Sequence, residues 1–204
     1  MSRGFIPLLG IVLSIGFAAL ACGTEGFRVV TSEGARRLAI ARAPLPVPHV
    51  ALVDQDGVSF SLDGYRGKTL LIEFIYTRCP TLCGVLGDNF SQVLALLGGA
   101  AKNRSVELLS ISFDPENDNR EALKLYGDRY GASAPGWRIA MLVERRDLVA
   151  LLQTFGVVAI PDGMGGFVHN GSIYLVDVSG RLVRIIDPDA PPQLLTTALG
   201  ISSQ

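Results

Sequence analysis

Apolar positions fall into two rhythms along this chain. "TLLIEFIY" at 69–76 and "VELLSISFD" at 106–114 are nearly continuous apolar runs. Strands covered on both faces look like that. Between them Leu86, Phe90, Val93, Leu94 and Leu97 recur at helical spacing, and Gly98 and Gly99 end the helix. Upstream, "ALVDQDGVSFSLDGYRGK" at 51–68 alternates around a "DQDG" turn and predicts a β-hairpin. Downstream, "NREALKLYGDRYG" predicts a helix opening near Asp118 or Asn119, with Leu123 and Tyr126 on one face. "WRIAMLV" predicts a short strand, and "RRDLVALLQTFGV" a helix opening at Arg145 or capped by Asp147. "GSIYLVDVSGRLVRIID" predicts a hairpin turning at Ser179-Gly180, and "APPQLLTTALG" a last helix. Strands alternating with helices imply an α/β domain, a central sheet with helices on both faces and an N-terminal hairpin.

The N-terminus breaks this rhythm. Arg3 precedes an apolar stretch from Phe5 to Ala21, and small residues lead to Cys22. That is the layout of an export signal. "ALAC-G" is close to a bacterial lipoprotein box, with Cys22 as the lipidated residue, although Ala19 stands where that box usually has Leu. An uncleaved anchor and plain secretion are the alternatives, and all three put the domain outside the cytoplasm. Residues 1–22 are read as this targeting segment, 23–48 as a linker ending in "RAPLPVP", and 49–204 as the folded domain. With 18 % charged residues, a net charge of −1 and no basic run, the chain is not built for nucleic acid.

Export changes the meaning of the cysteines. If Cys22 is lipidated or removed, Cys79 and Cys83 in "YTRCPTLCG" are the pair that remains. A loop this short is a poor structural staple. Cys79 follows a buried strand and Pro80 suits a first helical position, so Cys83 lies one turn on, on the same face. The helix N-terminus is expected to favour thiolate over thiol. Three readings follow: packed apolar cysteines, a redox dithiol wider than the usual C-x-x-C, or a soft-metal site, for which copper is the tighter choice. Arg78, beside Cys79, is weighed as the arginine that a peroxidase thiolate would want against a side chain that points to solvent. Of the two histidines, His49 sits at the domain's edge. His169 follows a loop containing Gly163, Gly165 and Gly166, which is expected to be mobile. His169 then either stays a solvated loop residue or completes a two-sulfur, one-nitrogen site.

"FIYTRCPTLCG", "SISFDPENDN", the Gly136-Trp137 pair, "FGV" at 155–157 and "VHNGSIYLVDVSGRL" occur together and in order. In these motifs the chain, from Val50 to Leu199, resembles the Sco/SenC family of copper-binding proteins needed for cytochrome c oxidase assembly. The resemblance implies a thioredoxin-like three-layer fold. It implies copper, Cu(I) or Cu(II), as the bound metal, with Cys79, Cys83 and His169 as ligands and the two cysteines able to form a disulfide. Asp114 of the "DP" motif is a candidate fourth ligand; its plainer role, like that of Asp118, is a helix cap or turn former. Val168 and Asn170 depart from the Asp and Ser that often flank the family's histidine, and Asn170 is expected to orient the ring. Met164, a soft thioether in the same loop, is expected to pack rather than to approach copper. The implied partner is the copper-accepting subunit of a cytochrome c oxidase, with a further periplasmic copper chaperone or thiol reductase upstream. The implied location is the periplasmic face of the bacterial inner membrane. A thiol–disulfide reductase acting through Cys79 and Cys83 is the rival reading.

Overall fold

The computed structural model describes residues 5–23, 31–79, 82–98, 105–132 and 136–199. The chain divides into two compact units, Met1–Arg42 and Ala43–Gln204. In the first, α1 spans Phe5–Gly23 and α2 spans Ser32–Arg42. Among the described residues no helix is long and apolar enough to cross a membrane. Helix α2 stands where the sequence reading has linker. Thr31 Oγ1 caps it by accepting from Gly34 N–H at 3.0 Å, and Glu33 accepts from Nε of both Arg36 and Arg37 at 3.2 Å. Charges that look scattered along the chain are thus paired one turn apart, which supports a short helix.

The second unit begins earlier than position 49 because "RAPLPVP" is partly strand. Its Leu45–Pro46 segment (β1) pairs antiparallel with Arg181–Ile186 (β10), Leu45 facing Leu182. The remaining strands are β2 (Ala51–Asp54), β3 (Ser59–Ser61), β4 (Thr69–Ile75), β5 (Val106–Ser112), β6 (Trp137–Leu142) and β9 (Ile173–Val176). The sheet order is β1-β10-β9-β4-β5-β6-β2-β3. Strands β4, β5 and β6 are mutually parallel and central, and antiparallel strands flank them on each side. The two apolar runs of the sequence, β4 and β5, therefore lie side by side in the middle, where both faces are covered.

Helices α3 (Leu82–Leu97), α4 (Arg120–Tyr130), α5 (Leu148–Phe155) and α6 (Pro192–Ala198) complete the unit. Helix α4 opens on Asn119, whose side chain accepts from Ala122 N–H, and closes on Gly131 at φ 76°. Alternation along β4 sorts the layers. On one face Phe74 meets Phe155 of α5 at 5.2 Å between ring centroids. On the other, Phe90 of α3 packs edge-on to Trp137 at 5.6 Å. The result is the expected three-layer α/β arrangement. A separate two-stranded sheet pairs β7 (Ala159–Pro161) with β8 (Phe167–His169). The sequence reading leaves that stretch as a loop.

Polar residues interrupt the apolar centre. Glu73 of β4 is fully buried. Ser110 Oγ donates to its Oε1 at 2.5 Å, and Trp137 Nε1–H donates to Ser110 Oγ at 2.9 Å. Glu73 Oε2 has no hydrogen-bond partner among the described residues. Burial pushes the carboxyl up to about 8, with the Ser110 hydrogen bond opposing. The folded chain therefore keeps a proton that the unfolded chain gives up near 4.5, and stability falls as pH rises between these values. Glu73→Gln should gain on the native chain by about 1.4 kcal/mol per pH unit across that window, and the gap should close at its acid end. Urea unfolding midpoints measured from about pH 5 to 8 check this. A gap that does not change with pH would contradict the assignment.

Candidate metal and redox centre

Strand β4 delivers the chain to the site through Tyr76, Thr77 and Arg78. Cys79 N–H closes a turn on Tyr76 O at 3.1 Å. The turn is fixed by Asp118, which accepts from Thr77 N–H at 3.0 Å, Thr77 Oγ1 at 2.6 Å and Ser112 Oγ at 2.5 Å. This carboxylate ties the end of β4 to the end of β5. Helix α3 then starts at Leu82; Pro80 and its expected first-turn place lie outside the described residues. Cys83 N–H donates to Cys79 Sγ at 3.4 Å, so the first sulfur takes the part of a helix cap. Tyr126 Oη donates to Cys83 O at 2.9 Å, fixing the first turn from α4.

The two thiols differ sharply. Cys83 is 1 % exposed, while Cys79 is half-buried. Burial pushes the Cys83 thiol far above its ordinary range, and the charges of Cys79 and Glu73 push the same way. The sequence reading expects the helix N-terminus to lower it. At Cys83 desolvation outweighs that dipole, as it does for thiols in apolar surroundings.

His169 ends β8 opposite Ala159, and its Nε2 lies 3.9 Å from Cys79 Sγ. Nδ1 lies 3.1 Å from Asn170 O. That carbonyl can only accept, so the proton sits on Nδ1 and the Nε2 lone pair faces the sulfurs. Asn170 thus orients the ring through its backbone rather than its side chain. The Asn170 side chain accepts from Val158 N–H at 2.7 Å and donates to Gly156 O at 3.0 Å, which anchors the hairpin where it leaves α5. Around the imidazole, Phe113 and Tyr76 stand edge-on at 5.2 and 5.7 Å. Phe167 packs on both of them at 5.3 Å.

The glycine-rich loop, expected to be mobile, forms a hydrogen-bonded turn. Asp162 Oδ1 accepts from Met164 N–H at 2.7 Å and Gly166 N–H at 2.9 Å, and these bonds hold its carboxyl below the usual range. A Cβ on Gly166 would stand 2.7 Å from Asp162 Oδ2 and 3.3 Å from Tyr76 Oη, so the close approach needs glycine. Met164 is 89 % exposed at the loop rather than packed.

The donor atoms of Cys79, Cys83 and His169 all lie within 4.8 Å of one another. Bond lengths of about 2.3 Å to sulfur and 2.0 Å to nitrogen put trigonal donors roughly 3.7–4.0 Å apart, so a small contraction around one ion suffices. The structure does not bring Asp114 into this group. Its buried carboxylate accepts from Arg78 Nη2 at 3.0 Å and Asn117 Nδ2 at 2.9 Å, and its backbone carbonyl starts the turn into α4. Arg78 reaches Gly165 O as well, at 2.9 Å, so it does not point freely to solvent. Cys22 is exposed, in the first unit. His49 is exposed and pairs with Asp63 at 2.6 Å, between β1 and β2 and away from the cysteine loop's donor group. Sequence reasoning missed Asp118 as a brace and Arg78 as a tie. Both are tertiary contacts across 36 or more positions, with no local signal. Brief alkylation of the reduced chain should modify Cys79 at least about tenfold faster than Cys83, since rate follows exposure and thiolate fraction. Peptide mapping reads this, and equal rates would contradict the asymmetry.

Residues 43–200 match the family described as SCO1/SenC. The SCO1 protein homolog of Bacillus subtilis is 30 % identical over 133 residues, 64 % of this chain and 68 % of that one. The mitochondrial Protein SCO1 homolog of Homo sapiens is also 30 % identical over 133 residues, 63 % of this chain but 43 % of that one. Among solved structures, BsSco, a member of the Sco family of cytochrome c oxidase assembly proteins, superposes with a TM-score of 0.67 at 26 % identity. It covers 79 % of this chain and 95 % of that one. Bradyrhizobium japonicum ScoI with copper bound gives 0.63 at 27 %, over 76 % and 98 % of the two chains. The fold is thus the thioredoxin-like sandwich of those structures, and the chain belongs to the SCO1/SenC family.

Proposed function

We propose that this chain is a copper metallochaperone, exported and held at the periplasmic face of the inner membrane, that delivers copper to the binuclear copper site of a cytochrome c oxidase. The observation that carries the reading is the convergence of two thiols and one imidazole, with Nε2 turned inward, at one spot. Thiolates with an imidazole suit copper. Zinc in a structural site takes four protein ligands, and here the candidate fourth, Asp114, is engaged by Arg78 and Asn117. A copper-bound relative of the same fold, from Bradyrhizobium japonicum, supports the choice. So does a Stutzerimonas stutzeri relative, 28 % identical, described as a putative copper-binding protein. Copper is the cargo. Cys79, the more accessible sulfur, is where an acceptor's thiolate would enter, and buried Cys83 would let go last. Attachment through Cys22 or through the apolar N-terminal segment rests on the targeting pattern of residues 1–22.

A second reading has its own observation. An accessible sulfur backed by a buried one, within 4.8 Å, is also the division of labour of a thiol–disulfide reductase that keeps the acceptor's cysteines reduced. That chemistry does not need His169. His169→Ala should lower Cu(I) affinity by more than the roughly 10–100-fold that partners behind the ligands command. It should also remove the Cu(II)–thiolate absorption band, and leave disulfide exchange intact. Cys79→Ser should abolish both. If copper affinity and oxidase assembly survive His169→Ala while Cys79→Ser abolishes assembly, the reductase reading replaces the chaperone one.

A further inference from the structure

We infer that Arg78 is a positioning residue that clasps the His169 hairpin onto the cysteine loop, so that the nitrogen is in place before the metal arrives. The inference rests on the copper reading above and deepens it. Strands β7 and β8 form their own sheet, with no ladder to the eight-stranded one. Something other than backbone pairing must therefore hold the hairpin tip. Arg78 directly precedes Cys79, and its Nη2 spans two loops, to Asp114 Oδ2 at 3.0 Å and Gly165 O at 2.9 Å. The Asp114 end is firmly rooted. Asp114 is 2 % exposed, its N–H donates to Ser112 Oγ at 3.1 Å, and Asn117 Nδ2 reaches both carboxylate oxygens.

The Gly165 end transmits the hold. Asp162 N–H donates to Gly166 O at 3.0 Å, and Asp162 Oδ1 ties Met164 and Gly166. The turn therefore moves as one piece with Phe167–His169. Gly165 adopts φ +89°, and a Cβ there would meet Arg78 Nη1 at 3.8 Å. Arg78 itself is half exposed. A single charged donor thus joins the loop that carries one sulfur to the loop that carries the nitrogen, with a buried acid as its fixed point. Charged hydrogen bonds of this kind are the stronger ones.

Two variants of the full chain test it. Arg78→Ala removes the clasp. Arg78→Ala with Asp114→Asn also removes the buried charge that the first variant leaves without its cation. In the metal-free chains, amide exchange over residues 162–169 should speed up about tenfold in both variants, with β4 and β5 unchanged. Cu(I) affinity, read by competition with a chromogenic chelator, should fall about tenfold. In a His169→Ala background the same substitutions should change affinity by no more than about twofold. Unchanged exchange over the hairpin would overturn the clasp. So would an equal loss of affinity in both backgrounds, which would put the effect of Arg78 on the thiolates. If the unsubstituted chain fails to bind Cu(I), the copper reading falls, and the exchange measurement still decides the clasp.

Discussion

The carboxylate of Asp118 fixes where the chain turns after β4. It accepts from the backbone and hydroxyl of Thr77 and from the hydroxyl of Ser112. It therefore pins the exit of one central strand to the end of the next, two residues before the first sulfur. Parallel strands end side by side, and their exposed ends have backbone groups to satisfy. Buried as it is, Asp118 supplies that satisfaction from one side chain. The cysteine loop takes its position from that junction. The turn places Cys79 to receive the N–H of Cys83, and α3 begins against it.

The imidazole comes by another route. It is brought by a hairpin that stands apart from the main sheet, and aromatic packing sets its depth. Phe113 from the end of β5, Tyr76 from the end of β4 and Phe167 from β8 enclose the ring from three elements. The enclosure is apolar, so the Asn170 carbonyl at Nδ1 sets the tautomer that leaves Nε2 towards Cys79 Sγ. A pair of unequal sulfurs and a preset nitrogen make a site with one open side and one closed side. Burial sets Cys83 apart, and above about pH 8, where Glu73 loses its proton, that charge pushes the same way.

Much of this was legible in the sequence for a physical reason. The central strands are written as apolar runs because both faces are covered, and α3 repeats at helical period because one of its faces is buried. Asn119 and Gly131 mark α4 through local capping chemistry. The two cysteines show in a motif whose spacing repeats a turn of helix, whereas His169 joins them as a candidate donor through the family resemblance. Other features were not legible. Strand β1 hides in a proline-punctuated segment, since pairing at an edge needs only one or two residues in register. Helix α2 depends on a Thr cap and short-range ion pairs rather than an apolar stripe. The hairpin β7–β8 carries too few residues to show alternation. Asp114 is a candidate ligand in the sequence through the family resemblance of its "DP" motif. Whether it reaches the site depends on Arg78, a contact that no linear pattern displays.

The short edge strand has an effect beyond folding. Pro46 has no N–H to offer, and it closes a strand of two residues. A neighbouring molecule seeking to extend the sheet past β1 finds almost no free ladder there. The opposite border, β3, is three residues long. Both border strands are therefore short templates for a further strand, one of the ways in which natural sheets blunt their edges.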